Sequence, residues 1–360
     1  MRIIFALASL GSGGAERVVS LLADKMAESG HQVEIICLKF NDVYYQISPQ
    51  VKITFAMQHT KSRFKELFWL RQYIKKQKPD VVIPFTEGVY CFTILSLLGT
   101  RILIVASERL DPAAMSPTRK FLKRLLLPYA DWLVVQTQSI KEYFPQSIQK
   151  KTSIIYNPVN DDVFGLPLLS LKGMKGGERL NRIISVGRLF PQKNQEMMIR
   201  AFARIAEEFP DWQLVIYGEG PLRAELEFLV SSFKMQGRVL LPGRTEHVIE
   251  ELRKSKIFCL SSDYEGMSNA MIEAICVGLP IVTTDVSGVR ELVEDGVNGF
   301  VVPCREVSMF GEALMRLISN DILREKFSKQ SLMNRDLFRI DTIIGNWEKT
   351  IVHLMNRYIK

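Results

Sequence analysis

Apolar residues fall in short dense runs along this chain. The runs alternate with stretches whose apolar positions recur three and four apart. In the first half the dense runs are Arg2–Ala8, Gln32–Leu38, Asp80–Phe85, Ile102–Ser107 and Trp132–Gln136, and they read as strands. Ala15–Ser29, a basic segment over 62–77 and a segment over 117–127 read as helices. Short apolar strands separated by amphipathic helices predict a parallel sheet covered on both faces. Around Leu168–Asn181 the alternation stops in a polar, glycine-rich stretch that suits a linker. It restarts with strands at Arg182–Val186, Gln213–Tyr217, Val239–Leu241, Ile257–Ser261, Pro280–Thr284 and Gly299–Val302. Helices are predicted at Gln195–Phe209, Pro221–Lys234, Val248–Lys254, Asn269–Val277 and Val289–Val293. From Ser308 to Lys360 the pattern is helical. The expectation is an α/β protein of two doubly wound, Rossmann-like domains, 1–165 and 182–340, joined by a linker at 166–181. A last helix over 341–360 crosses back to the first domain. The carboxyl ends of both sheets are expected to face a central cleft, where such folds take ligands.

Composition changes this picture little. With 360 residues, 47% apolar and 24% charged, the chain has the makings of two cored domains and is not a disordered one. The five cysteines are scattered without a CxxC pair, which argues against a disulfide framework or a zinc site and for buried, reduced thiols. The apolar start is too short for a secretory leader, and no run of about 18 apolar residues predicts a membrane span. Charge is unevenly placed. Residues 1–165 carry 21 Lys/Arg against 14 Asp/Glu, whereas the remainder carries 26 against 25, so an anionic partner is expected at the first domain.

Candidate chemistry concentrates at strand-to-helix turns. Asp263-Tyr-Glu265-Gly-Met-Ser-Asn-Ala-Met-Ile-Glu273 places one carboxylate on a loop and a second two turns into a helix. Helix N-terminal amides attract phosphate and carboxylates accept from hydroxyls, so this stretch suits a polyhydroxylated, phosphorylated ligand. In Gly187-Arg188-Leu-Phe-Pro-Gln-Lys193-Asn194, two cations at a strand end suit a diphosphate. Tyr217-Gly218-Glu-Gly220-Pro and Pro242-Gly243-Arg244-Thr are two more such turns, and Gly243 could free the backbone to read a flat base edge. Gly11-Ser-Gly13-Gly14 opens the first helix, but Glu16 stands where a dinucleotide fingerprint has its third glycine. The second strand also ends without an acid for a ribose, so NAD is disfavoured. The absence of Asp-x-Asp and of spaced histidines argues against a divalent-metal site.

Taken in order, Gly13-Gly14-Ala15-Glu16-Arg17, Gly187-Arg188 with Lys193-Asn194, Gly218-Glu219-Gly220-Pro221 and Glu265–Glu273 resemble the family 4 retaining glycosyltransferases of the GT-B fold, in their bacterial polysaccharide and lipid-linked glycan branch. The resemblance spans nearly the whole chain and is most specific in the second half. It implies transfer of a hexose or N-acetylhexosamine from a nucleoside-diphosphate sugar, with uracil the expected base, to a glycan or polyprenyl-linked acceptor with an α linkage. No metal or other cofactor is implied. Glu273 would hold ribose hydroxyls and Glu265 donor-sugar hydroxyls. Amides near Gly266, Met267, Ser268, Asn269 and Ala270 would meet sugar and diphosphate, while Arg188 and Lys193 neutralise the diphosphate. Gly218 belongs to the same set of donor-side loops, the backbone at Gly243 and Arg244 would lie near the base, and Gly14 would let the first domain close over the phosphates. Where relatives place a histidine, this chain has Ser107-Glu108-Arg109-Leu-Asp111-Pro112, so Glu108, Arg109 or Asp111 could touch donor or acceptor.

Two basic segments complete the expectations. Residues 61–78 carry Lys61, Arg63, Lys65, Arg71, Lys75, Lys76 and Lys78 against Glu66 alone. Leu67, Leu70 and Ile74 make a core stripe there, with Trp69 and Tyr73 on another face. In Arg119-Lys-Phe-Leu-Lys-Arg124, the residues Phe121, Leu122, Leu125 and Leu126 share one side. Basic faces with projecting aromatics suit an anionic membrane surface, which would make the protein cytoplasmic and peripheral on the inner face of the membrane. No nucleic-acid module is present. Another GT-B reaction (epimerase or phosphorylase) and a non-catalytic sugar-nucleotide-binding subunit are the competing functions.

Overall fold

The computed structural model describes residues 1–56, 62–111, 115–165 and 179–359. They form two compact units, Met1–Asn160 with Arg339–Lys360, and Asp161–Phe338. The expected linker at 166–181 falls mostly outside the described residues, as do Lys61 and Pro112.

The first unit runs β1 (Arg2–Leu7), α1 (Gly14–Glu28), β2 (Gln32–Cys37), β3 (Lys52–Phe55), α2 (Arg63–Gln77), β4 (Val81–Pro84) and α3 (Glu87–Leu97). It continues through β5 (Val105–Ser107), α4 (Pro117–Leu126), β6 (Trp132–Val135), α5 (Gln138–Tyr143), α6 (Gln146–Gln149) and β7 (Thr152–Ile154). Strands β3-β2-β1-β4 pair in parallel, as do β5-β6-β7, and parallel bridges Val82–Ile104 and Phe85–Ser107 set β5 beside β4. Ile3, Phe5 and Leu7 of β1 enter one core layer, and Ile4 and Ala6 enter the other. This two-sided burial is why the strand reads as a nearly continuous apolar run.

The second unit repeats the plan with β8 (Arg182–Val186), α7 (Gln195–Ile205), β9 (Gln213–Tyr217), α8 (Arg223–Ser232), β10 (Val239–Gly243), α9 (Val248–Arg253), β11 (Ile257–Leu260), α10 (Asn269–Cys276), β12 (Ile281–Thr284) and β13 (Gly299–Val302). Helices α11 (Val307–Ile318) and α12 (Asp321–Met333) follow. The sheet order is β10-β9-β8-β11-β12-β13, all parallel. In each unit the sheet grows outward in both directions from one central pair, β1 with β4 and β8 with β11. That pair is the switch point beyond whose carboxyl ends such sheets take ligands.

The last helix, α13 (Ile340–Ile359), belongs to the first unit. Ile340, Ile343, Ile344, Trp347, Ile351 and Leu354 recur at helical spacing, and all are buried in the core layer that contains α1. Trp347 is fully buried, with its ring 6.1 Å from that of Phe85.

The sequence pattern missed β3, β7, α3, α5 and α6. Helix α3 (EGVYCFTILSL) is buried over most of its surface, so no polar stripe marks its period. The strands have four and three residues and the short helices six and four, too few for periodicity to register. Val289–Val293 is a 3₁₀ turn over Val289–Glu291 instead of an α-helix. Cys37, Cys91, Cys259 and Cys276 are buried, free thiols, and burial pushes Cys37 and Cys91 up to about 12. Among the described residues no helix is long and apolar enough to cross a membrane.

Candidate active site

Two loops in the second unit leave the carboxyl ends of the central pair. After β8 the chain runs through Gly187-Arg188-Leu189-Phe190 into a 3₁₀ turn at Pro191–Lys193. Leu189 is fully buried and pins the loop, while proline presets the backbone of the turn. Asn194 then adopts the left-handed region (φ 45°), and its side chain caps α7 by accepting from the amide of Met197. This cap fixes where Lys193, one residue earlier, leaves the backbone.

After β11 comes Ser261-Ser-Asp263-Tyr-Glu265. The Lys193 ammonium and Glu265 carboxylate, 72 residues apart in sequence, form a direct ion pair on Glu265 Oε1. Their side chains are only 15% and 9% exposed, so water screens the pair weakly. Ser262 Oγ donates to the same Oε1 at 2.6 Å. Around the pair, Ser261 Oγ donates toward the carbonyls of Lys193 and Asn194 at 2.9 and 2.8 Å. Asn194 Nδ2 donates to Asp263 Oδ1 at 3.0 Å, the Asp263 amide to the Gln192 carbonyl at 2.9 Å, and Gln192 Nε2 to the Tyr264 carbonyl at 2.9 Å. The two loops therefore behave as one stitched element that holds an acid and a base in fixed register.

The structure thus joins Lys193 and Glu265, which the sequence offered on separate motifs. Arg188 lies on the same loop but takes no part in the ion pair. It is exposed, with its guanidinium 5.0 Å from the Phe190 ring centroid. Gly266, Met267 and Ser268 are buried, and Ser268 caps α10 by accepting from the Met271 amide at 3.4 Å. Asn269 and Ala270 form its half-buried first turn, and Glu273 is 3% exposed one turn further on.

Gly218 and Gly220 have a packing role that their sequence did not reveal. A Cβ on Gly218 would sit 1.9 Å from the Gly187 carbonyl oxygen, and one on Gly220 would sit 2.2 Å from that of Leu189. Both glycines let the loop after β9 lie directly on the loop that carries Lys193. Backbone bonds from the Gly187 amide to Tyr217, from Leu189 to Glu219 and from Gly218 to Gly243 extend the contact across three loops. Gly243 is buried, whereas Arg244 is exposed.

In the first unit, Gly13 forms the N-terminal cap position of α1 and Gly14 is its exposed first residue. Glu108 is 0% exposed. Its Oε2 accepts from Tyr90 Oη at 2.8 Å and Lys123 Nζ at 2.7 Å, and its Oε1 from the Arg109 amide at 3.2 Å. Glu108 therefore anchors the start of its loop from inside. Arg109 is 7% exposed and donates through Nε to Ser107 Oγ and through Nη1 to Asn157 Oδ1, both at 2.7 Å.

The basic segments need correction. Lys123, expected among surface charges, is 3% exposed because it pairs with Glu108. The opposite side of α4 therefore faces outward, with Phe121, Leu122 and Leu125 exposed at 70%, 42% and 55% and only Leu126 buried. On α2, Leu70 and Ile74 are buried as expected, but Trp69 and Tyr73 do not project. They stack on each other at 4.9 Å against the core, and Tyr73 Oη donates to Glu34 Oε1 at 2.5 Å. Phe64 and Phe68 project instead, at 78% and 68% exposure.

Ser261, Ser262, Asp263 and Asn194 escaped notice as partners of the pair. A Ser-Ser-Asp run directly at a strand end was the available signal.

Comparisons with known proteins agree with this fold. The model "Glycosyl transferases group 1" matches residues 175–332, and "Glycosyltransferase Family 4" matches 12–163. One Campylobacter jejuni relative, an N-acetylgalactosamine-N,N'-diacetylbacillosaminyl-diphospho-undecaprenol 4-alpha-N-acetylgalactosaminyltransferase, is 32% identical over 90% of this chain and 92% of its own. A second from that organism is the GalNAc-alpha-(1->4)-GalNAc-alpha-(1->3)-diNAcBac-PP-undecaprenol alpha-1,4-N-acetyl-D-galactosaminyltransferase. It is 28% identical over 99% of both chains. Among solved structures, Anabaena HepE in complex with UDP and glucose superposes with a TM-score of 0.80 at 18% identity, covering 98% of this chain and 100% of its own, a likeness of fold. With its two parallel-sheet units and stitched switch-point loops, the chain belongs to the family 4 glycosyltransferases of the GT-B fold.

Proposed function

We propose that this glycosyltransferase moves a hexose or N-acetylhexosamine from a UDP-linked donor to a lipid-linked sugar acceptor, with retention and an α linkage, in surface glycan synthesis. The ion pair of Lys193 with Glu265 at the switch point carries the reading. A nucleoside diphosphate leaves with growing negative charge, and a preorganised ammonium beside it stabilises that charge more in the transition state than in the ground state. Lys193 takes this role with Arg188 on the same loop, so the diphosphate is met by side-chain cations without a divalent metal. Ser262 and Lys193 hold Glu265 for donor-sugar hydroxyls, Glu273 takes the ribose, and the first turn of α10 takes the phosphate. The relatives that act on undecaprenol-linked sugars support the acceptor class.

A panel of uridine and guanosine diphosphate sugars tests the donor. Saturating the correct one at about 100 times its Kd stabilises the fold by roughly 2.7 kcal/mol, read as a raised Tm. Nucleoside diphosphate is then released only when a polyprenyl-diphosphate sugar is added, and excess EDTA leaves the rate unchanged. Binding without release across the acceptor panel would favour a non-catalytic subunit, and loss of rate in EDTA would remove the metal-free mechanism.

On this reading the protein works at the cytoplasmic face of an anionic membrane. Helices α2, α3 and α4 pack in sequence and expose Phe64, Phe68, Phe121 and Leu125 together with Lys65 and Arg124. Apolar tips enter the interface while cations meet anionic headgroups. Flotation with phosphatidylglycerol-containing vesicles at low salt should recover the protein. Phe121→Ser with Leu125→Ser should weaken recovery roughly tenfold or more, given about 2 kcal/mol per buried side chain. Equal flotation of this variant would place the contact elsewhere.

A further inference from the structure

Arg109 is a buried cation whose charge is offset among the described residues by nearby Glu108 and by the Phe85 ring, 4.4 Å from its guanidinium. Its two side-chain acceptors, Ser107 and Asn157, are neutral. The adjacent carboxylate, Glu108, is already matched by Lys123. Arg109 Nη2 is buried with no hydrogen-bond partner among the described residues. Two other side chains of the first unit share this state. Trp347 Nε1 is unpartnered, and its ring centroid lies 5.9 Å from the Arg109 guanidinium. Gln136, 1% exposed directly after β6, has neither Oε1 nor Nε2 partnered.

Strand alternation puts Gln136 on the same face as these groups. Trp132 and Val134 of β6 face the core layer of Phe85 and Trp347, and Leu133 and Val135 face the other layer. Gln136, next in the alternation, falls on the first. Arg109, Gln136 and Asn157 therefore follow the carboxyl ends of three adjacent strands, β5, β6 and β7, on the side covered by α13. Buried polar groups are almost always satisfied, so four open atoms in one neighbourhood need a common partner. The set offers three donors (Arg109 Nη2, Gln136 Nε2, Trp347 Nε1) and one acceptor (Gln136 Oε1). A phosphoryl group matches it, with oxygens to accept and, when protonated, one hydroxyl to donate.

We infer that Arg109, Gln136 and Trp347 form an oxyanion site for a phosphoryl group at the carboxyl edge of the first unit. Burial lowers Arg109 to about 9 against the opposing pull of Glu108, so the cation persists at neutral pH and an entering anion would offset the cost of its burial. The phosphoryl group comes either from free phosphate or from the acceptor's diphosphate. The second source rests on the lipid-linked acceptor proposed above, and the first does not.

The experiment titrates the full-length protein with inorganic phosphate at constant ionic strength, reading Tm and tryptophan fluorescence. It then measures KM for a short-chain polyprenyl-diphosphate sugar. Lys193→Ala separates this site from the donor loops. Phosphate should stabilise the wild type and Lys193→Ala alike, and Gln136→Leu should weaken phosphate or acceptor about tenfold or more, as loss of hydrogen bonds to a charged group does. If Gln136→Leu fails to fold, Gln136→Glu replaces it: the new carboxylate neutralises Arg109, raises Tm without phosphate, and abolishes the response to phosphate. A phosphate response with unchanged acceptor KM assigns the site to the free ion. A raised acceptor KM with no raised donor KM assigns it to the acceptor. Phosphate affinity and acceptor KM unchanged in both Gln136 variants would mean that buried water fills the site, and would overturn the inference.

Discussion

Lys193→Met should lower turnover about a hundredfold to a thousandfold, the loss that follows removal of one preorganised donor to a developing anion. The ammonium is already aligned by Glu265 and by the cap at Asn194, so it costs little reorganisation during the reaction. The substitution also strands Glu265, a carboxylate with 9% side-chain exposure. Breaking a buried pair from one side destabilises by roughly 3–5 kcal/mol, softened here because Ser262 still donates to Glu265. Stability and chemistry must therefore be separated. The double variant Lys193→Met with Glu265→Gln removes the orphaned charge and should regain most of the Tm while turnover stays low. Steady-state kinetics and thermal unfolding of both variants and the wild type decide it. If turnover returns with stability, Lys193 is only a structural partner of Glu265.

Trp347→Ala should be the most damaging core substitution in the first unit. Trp347 is fully buried, faces Phe85 and lies with its ring centroid 5.9 Å from the Arg109 guanidinium. Truncating a buried tryptophan costs about 3–5 kcal/mol, a large share of the roughly 5–15 kcal/mol that hold a domain together. For a unit of this size the midpoint should fall by about 10 °C. Trp347→Phe keeps the stacking and should lose much less. A small shift for Trp347→Ala would mean that α13 contributes little to the core it covers.

The strand and helix order was largely legible because hydrophobic period is a local property. Each strand of the central pairs is buried on both faces and reads as an apolar run; each amphipathic helix shows its stripe. Helix α3 was missed for the same reason, since burial all round erases the stripe. The turns carrying Arg188, Lys193, Gly218, Gly243 and Glu265 were also legible, because glycine, proline and charge at a strand end are local signals. Their purposes were less so. The sequence presented Gly218 as a ligand loop, and the structure shows it first as the place where one loop touches another.

By itself, the sequence determined the two parallel α/β halves, the family, and the loops on which an acid and a base reside. Only the tertiary structure decided that Lys193 and Glu265 meet, that Lys123 is buried against Glu108, and that Arg109 is buried with neutral hydrogen-bond acceptors. Periodicity specifies which residues share a face of α4, but not which face the core covers. A buried carboxylate 15 residues away draws Lys123 inward and turns Phe121 and Leu125 out. Contacts between residues far apart in sequence depend on how the sheet brings strand ends together, and no local pattern records that.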